Sequence, residues 1–310
     1  MILNTGCRTD IPAYYSEWFY NRIKEGFVLV RNPYYPNQVM KYRLDSGVVD
    51  CLCFCTKNPE PMLPRMNEIK QFNQFWQVTI TPYGKEIEPY VPDKERVMES
   101  FKRLAGIVGV NAVGWRYDPI FITDKYSLDF HLEAFHKMAE NLAGYTQNCV
   151  ISFIDLYEKT RRNFSGIREV SKADQITIAK EFVRIGKRHG ITIRSCCEGA
   201  FLAGYGVDIS GCMTKRVIET AIGTPLDLAK VRKPAREECD CLLGNDIGTY
   251  NTCGHGCLYC YANYDRKTVE QNMQLHNPRS PLLIGEVLED DVIKEVKQQS
   301  FCSGQMTLPW

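Results

Sequence analysis

Short apolar runs rich in β-branched and aromatic residues recur along the chain, each closing on a polar cluster. Residues 2–5 end in Cys7-Arg8-Thr9-Asp10, residues 27–30 in Arg31-Asn32-Pro33, and residues 48–55 in Thr56-Lys57-Asn58-Pro59. Residues 75–80 lead into Thr81-Pro82-Tyr83-Gly84, and residues 111–115 into Arg116-Tyr117-Asp118-Pro119. Residues 150–154 meet Asp155, and residues 191–193 meet Arg194-Ser195-Cys196-Cys197-Glu198. Nearly continuous apolar runs of this length read as parallel strands covered on both faces.

Helical periodicity fills the intervals. It covers residues 16–24, 94–104 (Val97, Phe101, Leu104), 128–142 (Leu132, Phe135, Met138, Ala139, Leu142) and 173–189. An eighth strand is expected at residues 246–251, with a covering helix at 289–299 that carries Val292, Ile293 and Val296. The alternation predicts an α/β protein: a single (β/α) TIM-like barrel over residues 1–262, with residues 263–310 as a C-terminal helix and tail packed on it. Polar residues then collect at the strand C-terminal ends, where such barrels place their sites. A doubly wound open sheet is the alternative.

The 38 basic and 37 acidic residues give a net charge of +1. That balance removes the usual footprint of a nucleic-acid binder. No apolar run approaches the roughly 20 residues that span a bilayer. The first residues lack a basic start and a long apolar stretch, so the chain reads as cytosolic. In a reducing compartment fourteen cysteines are anomalous; they point to metal ligands, redox groups or core thiols rather than disulfides. Cys51, Cys53 and Cys55 alternate on one strand and so share a face, which suits core packing.

The sharpest motif is Cys253-Gly254-His255-Gly256-Cys257-Leu258-Tyr259-Cys260. Three thiolates at this C-x3-C-x2-C spacing can hold three irons of a [4Fe–4S] cluster and leave the fourth iron open. The two glycines let backbone approach it in unusual conformations. The alternatives are a zinc loop that recruits His255, or coincidence in a cysteine-rich chain. A second group, Cys196, Cys212, Cys239 and Cys241, can close around another [4Fe–4S] cluster or a zinc ion, with Cys197 a substitute for Cys196. The plainer reading of Cys196 and Cys212 is that of buried core thiols.

With Tyr259 at its aromatic position, the loop resembles the signature of radical S-adenosylmethionine enzymes. That resemblance implies an open iron that binds S-adenosylmethionine, a 5′-deoxyadenosyl radical made by reductive cleavage, and an external electron donor of flavodoxin or ferredoxin type. More closely, five strings resemble the uncharacterised family known as domain of unknown function 1848, over about residues 1–262. They are residues 236–241 (Arg-Glu-Glu-Cys-Asp-Cys), residues 250–262 around the loop, Arg8-Thr9-Asp10-Ile11-Pro12-Ala13, Thr56-Lys57-Asn58-Pro59 and Trp115-Arg116-Tyr117-Asp118-Pro119. The superfamily usually carries its motif after the first strand, and here it follows the last. A circular permutation reconciles the two, making residues 247–251 the spatial neighbour of residues 2–5.

Under that assignment Asp10 accepts from the cofactor's ammonium and Arg8 pairs with its carboxylate or a substrate anion. The other reading is that Arg8 and Asp10 pair with each other and cap the following helix. Thr56, Lys57 and Asn58 are expected to hold substrate or cofactor, with Tyr83, Arg116, Asp118, Asp155 and Glu198 at equivalent strand ends. His131, His136 and His189 read as structural. The leading expectation is an iron–sulfur radical enzyme with the substrate open. A non-catalytic iron–sulfur electron-transfer or sensing protein is the second, and a zinc-dependent nucleic-acid module the third, disfavoured by the balanced charge.

Overall fold

The computed structural model describes residues 1–228, 240–242 and 244–302. Nine strands and eight α-helices are found among them. The strands are β1 (Ile2–Asn4), β2 (Phe27–Arg31), β3 (Gln38–Arg43), β4 (Cys51–Thr56), β5 (Gln74–Thr79), β6 (Val113–Ile120), β7 (Asn148–Phe153), β8 (Thr192–Ser195) and β9 (Val292–Glu295). The helices are α1 (Ile11–Tyr14), α2 (Ser16–Glu25), α3 (Lys94–Val108), α4 (Leu128–Leu142), α5 (Glu158–Asn163), α6 (Lys172–Arg188), α7 (Lys215–Ile222) and α8 (Arg266–Gln274). The four helices read from periodicity are present as α2, α3, α4 and α6.

Six strands form one parallel sheet in the order β1-β4-β5-β6-β7-β8. Because right-handed crossovers between neighbouring parallel strands all turn the same way, sequential winding gathers helices on one face. Alternate strand residues divide accordingly. Leu52, Phe54, Trp76, Val78, Trp115, Tyr117 and Ile151 join helix residues such as Phe101, Leu104, Phe135 and Phe182 in the main core. Ile2, Cys51, Cys53, Phe75 and Val150 turn the other way and pack with Cys212, Met213, Val217 and Ile218. Cys51 and Cys53 are thus core thiols, as their alternation suggested, whereas Cys55, the third of the run, is only partly buried and faces the opening at the strand ends.

The fold departs from the expected eight-stranded barrel in three places. Among the described residues the sheet is open. Its order also never reverses, as a doubly wound sheet would require. The run at residues 27–30 leaves the sheet and pairs antiparallel with β3, from Phe27 opposite Arg43 to Arg31 opposite Val39. The connection between them is too short for a parallel crossover, which takes a dozen or more residues. The run at 246–251 forms a single parallel bridge, Asp246 to Asn4, framed by Asn4 N–H to Asn245 O at 2.8 Å and Ile247 N–H to Asn4 O at 2.9 Å. The Asp246 side chain then accepts from Gly248 N–H, turning the chain away from the ladder.

The third departure concerns the C-terminal segment. Residues 292–295 form β9 and run parallel to β3, Gln38 to Lys41, where a helix at 289–299 was expected. Val292 and Ile293 favour a strand, and Arg31 grips Asp291 at its entrance, Nη2 to Oδ2 at 2.7 Å. The helix after the cysteine loop is α8, capped by Asp265, which accepts from Thr268 N–H at 2.8 Å. Residues 280–283 lie against the N-terminal helices, with Trp18 Nε1 donating to Ser280 O at 2.9 Å.

Candidate metal centres around one cavity

A cavity of about 310 Å³ opens at the C-terminal ends of the parallel strands. The residue following a buried strand is where the chain leaves the sheet, so side chains there face the opening rather than the core. Thr56 ends β4 and Lys57 follows it, Thr79 ends β5, Arg116 and Asp118 belong to β6, and Ser152 to Asp155 span the end of β7. Cys196 and Glu198 follow β8, Cys7 and Asp10 follow β1, and Cys212 with Met213 enters from the loop before α7. Cys253, Cys257, Tyr259 and Cys260 complete the wall.

The Cys253–Cys260 loop is held from both sides. Tyr15 OH donates to Thr252 O at 2.6 Å, Asn263 Nδ2 to Cys253 O at 2.8 Å, and Leu258 N–H to Ile87 O at 3.1 Å. Gly256 has φ +69°, where a side chain is strained, and a Cβ on Gly254 would meet the Tyr14 ring at 2.8 Å. His255 is buried, with Nε2 2.8 Å from Asp10 Oδ2 and Nδ1 3.1 Å from Tyr14 OH. Both ring nitrogens are engaged, so the histidine is an anchor for the loop and has no lone pair to spare for a zinc ion.

Asp10 is the hub of that anchor. It accepts from Ala13 N–H at 3.0 Å, capping α1, from Thr56 Oγ1 at 2.7 Å and from Lys57 N–H at 2.7 Å, besides His255. It does not pair with Arg8, whose Nε lies 2.9 Å from Asp246 Oδ1 beside the β1 edge. Arg8 is not part of the cavity wall. Asn58 is also off the wall; its Oδ1 accepts from Glu60 N–H at 3.3 Å and starts the 3-10 turn Glu60–Ile69. Tyr83 packs beneath the site, stacked on Phe121 at 4.2 Å.

A residue that sequence reasoning missed, Glu88, organises the wall beneath Tyr259. It is buried and accepts from Lys57 Nζ at 2.8 Å, Thr81 Oγ1 at 2.7 Å, Lys94 and the Tyr259 hydroxyl. Burial alone pushes its carboxyl up, but the Lys57 and Lys94 ammonium groups hold it down at about 2. Lys57 is held above its ordinary value by Glu88 and Cys257 against the pull of burial. Nothing in the local sequence Gly84 to Val91 marks Glu88, because its four partners all lie outside that stretch.

At the end of β6, Arg116 pairs with Asp118, Nε to Oδ2 at 3.0 Å, and Ser152 donates to the same carboxylate group. Glu198 Oε1 accepts from Phe153 N–H at 2.9 Å. Burial, aided by the Asp118 and Asp155 charges and opposed by that hydrogen bond, pushes Glu198 up to about 8. It is therefore largely protonated at neutral pH and able to donate.

Cys196, Cys212 and Cys241 bring their sulfurs within 4.8 Å of one another, close enough to hold a metal ion. Cys239 lies outside the described residues. Cys196, and not Cys197, joins the group. Cys253, Cys257 and Cys260 are spread along the cavity wall and do not form so tight a set.

The fold and site thus define a parallel α/β protein with two cysteine groups on one cavity at its strand ends. The chain belongs to the family described as Domain of unknown function (DUF1848), which matches residues 2–262. No curated protein matches the chain.

Proposed function

We propose that the protein is a radical S-adenosylmethionine enzyme whose [4Fe–4S] cluster is ligated by Cys253, Cys257 and Cys260. The observation that carries this reading is the placement of all three cysteines on the wall of a strand-end cavity while His255, the one other candidate ligand in the loop, is consumed by Asp10 and Tyr14. Three thiolates with no fourth side chain in the loop suit a cube with one open iron, and an electron carrier normally has four. When bound, the cluster and cofactor supply one-electron reduction and a 5′-deoxyadenosyl radical.

The chain's own residues supply position and polarity. Asp10 fixes the loop relative to β1 and β4 through His255, Thr56 and Lys57. Glu88 clamps Tyr259 and Lys57 on one wall, giving a polar rim next to Cys257. Protonated Glu198 offers a hydrogen-bond donor to the substrate from the segment after β8, and the Arg116–Asp118 pair at the end of β6 adds a fixed dipole. A cavity of about 310 Å³ suits a small-molecule ligand. The parallel pairing of residues 245–247 with β1 supports the circularly permuted arrangement, in which the cluster loop follows the spatial neighbour of β1. The open, sequentially wound sheet is then an incomplete barrel. An external low-potential carrier of flavodoxin or ferredoxin type is the electron source, and the substrate stays unassigned.

Anaerobic reconstitution with iron and sulfide, followed by dithionite and S-adenosylmethionine, is expected to release 5′-deoxyadenosine. Cys257→Ala is expected to abolish that release. A fully reconstituted sample that yields none, and whose paramagnetic signal ignores S-adenosylmethionine, overturns the proposal in favour of an electron-transfer or sensing role.

A further inference from the structure

The sulfurs of Cys196, Cys212 and Cys241 have a geometry of their own. Cys212 Sγ lies 3.5 Å from Cys196 Sγ and 3.5 Å from Cys241 Sγ, and all three fall within 4.8 Å. Thiolates around one tetrahedral zinc, with Zn–S near 2.3 Å, stand about 3.8 Å apart. Around an iron–sulfur cube each thiolate binds a different iron, so the sulfurs are separated by the body of the cluster. The spacing is that of a single ion.

The surroundings are built for a sulfur carrying negative charge. Cys212 N–H and Met213 N–H both point at Cys241 Sγ, each at 3.2 Å. That double donation requires the backbone to wrap closely round the sulfur. At Gly211, φ is +106° and a Cβ would sit 3.1 Å from Cys241 Sγ, so glycine alone suits the turn. Arg116, paired with Asp118 on the cavity wall, also faces Cys196 and Cys212 and offsets the charge of several thiolates around a divalent ion. The ligands come from three separate segments: the end of β8, the loop before α7, and residues 240–242.

We infer that Cys196, Cys212 and Cys241 form a mononuclear zinc site, separate from the Cys253–Cys260 loop, that ties these three segments to the inner face of the sheet. Thiolate ligands favour zinc over hard divalent ions such as magnesium and calcium, and the single-ion spacing favours it over a cube. The site does not depend on the radical reading, and it replaces the second [4Fe–4S] cluster that the cysteine count alone allows.

The test is zinc, iron and sulfide content per chain in full-length protein purified anaerobically from medium containing zinc and iron. Wild type is expected to carry about one zinc, and Cys253→Ser/Cys257→Ser/Cys260→Ser to keep that zinc while losing iron. Cys241→Ser is expected to lose the zinc and keep its iron. Should that variant fail to fold, Gly211→Ala tests the same site with every ligand retained, and its zinc is expected to transfer to a chromophoric chelator at roughly tenfold lower chelator concentration. Wild type loaded with cobalt is expected to show thiolate-to-cobalt charge transfer and intense tetrahedral bands. Loss of about four irons in Cys241→Ser, departure of zinc with the loop cysteines, or cobalt without thiolate bands each overturns the proposal. The first of these would leave the radical reading standing.

Discussion

Glu198 and Glu88 show how far two carboxylates on one cavity can be driven apart. Glu198 has a folded pKa near 8 against 4.5 for a free glutamate, so the fold binds a proton that the unfolded chain has released. Its contribution to stability is therefore complete below pH about 4.5 and is lost as pH rises toward 8. Glu198→Gln imitates the protonated form. Its melting temperature relative to wild type is expected to climb steadily from pH 5 to pH 8.5, read by thermal scans; a pH-independent difference would disprove a neutral Glu198. Glu88 has the opposite sign: its folded pKa near 2 lies below its free value, so its stabilisation is present at neutral pH and lost as pH falls through that range. Glu88→Gln leaves Lys57 and Lys94 buried without their counter-charge. Removing one partner of a buried pair costs about 3 kcal/mol or more, measurable as a lower urea midpoint at pH 7. Neither behaviour could be read from the sequence. Burial and the distance to a partner set both, and Glu88 sits 31 residues from Lys57.

Among the elements, α3, α4 and α6 were legible because each buries one stripe against the sheet, and periodicity encodes that stripe directly. The segment 289–299 was not. Its acidic start, basic end and spaced valines imitate an exposed helix, and only the free edge of β3 makes it a strand. The helix at 266–274 went unnoticed because a single residue, Val269, is buried in it. The site shows the same division. The loop cysteines announce themselves by spacing, whereas Cys196, Cys212 and Cys241 could be grouped from the sequence only by their number, and the fold supplies the 3.5 Å approaches between them. Asp10 was recognised both as a site residue and as the cap of the following helix, which it is, but its links to the end of β4 and to the cysteine loop were not. Asp10→Ala removes an N-cap and strands several buried donors, an expected loss of about 2 kcal/mol in urea unfolding. Asp10→Asn, which can still cap, is expected to lose less. Equal losses for the two would mean that the buried charge, and not the cap, carries the effect.

For the whole molecule, winding direction matters more than strand count. Because the six parallel strands follow one another in space as they do along the chain, their C-terminal ends all open on the same side, and a single chamber collects them. That much follows from alternating apolar runs and helical stripes. The closure of the barrel did not, since whether an edge is sealed depends on a few backbone hydrogen bonds around Asp246 that no residue pattern displays. The chamber is lined with sulfur from the loop, from Cys196 and Cys212, and from Cys7 and Cys55, and none of the described helices is long and apolar enough to cross a membrane.

The bridge between Asn4 and Asp246 separates the order of synthesis from the order in space. The receptors for the cysteine loop, Asp10, Tyr14 and Tyr15, emerge from the ribosome more than two hundred residues before the loop that docks on them. All six strands of the parallel sheet also precede the loop in the chain, so its docking is among the last long-range contacts that synthesis allows.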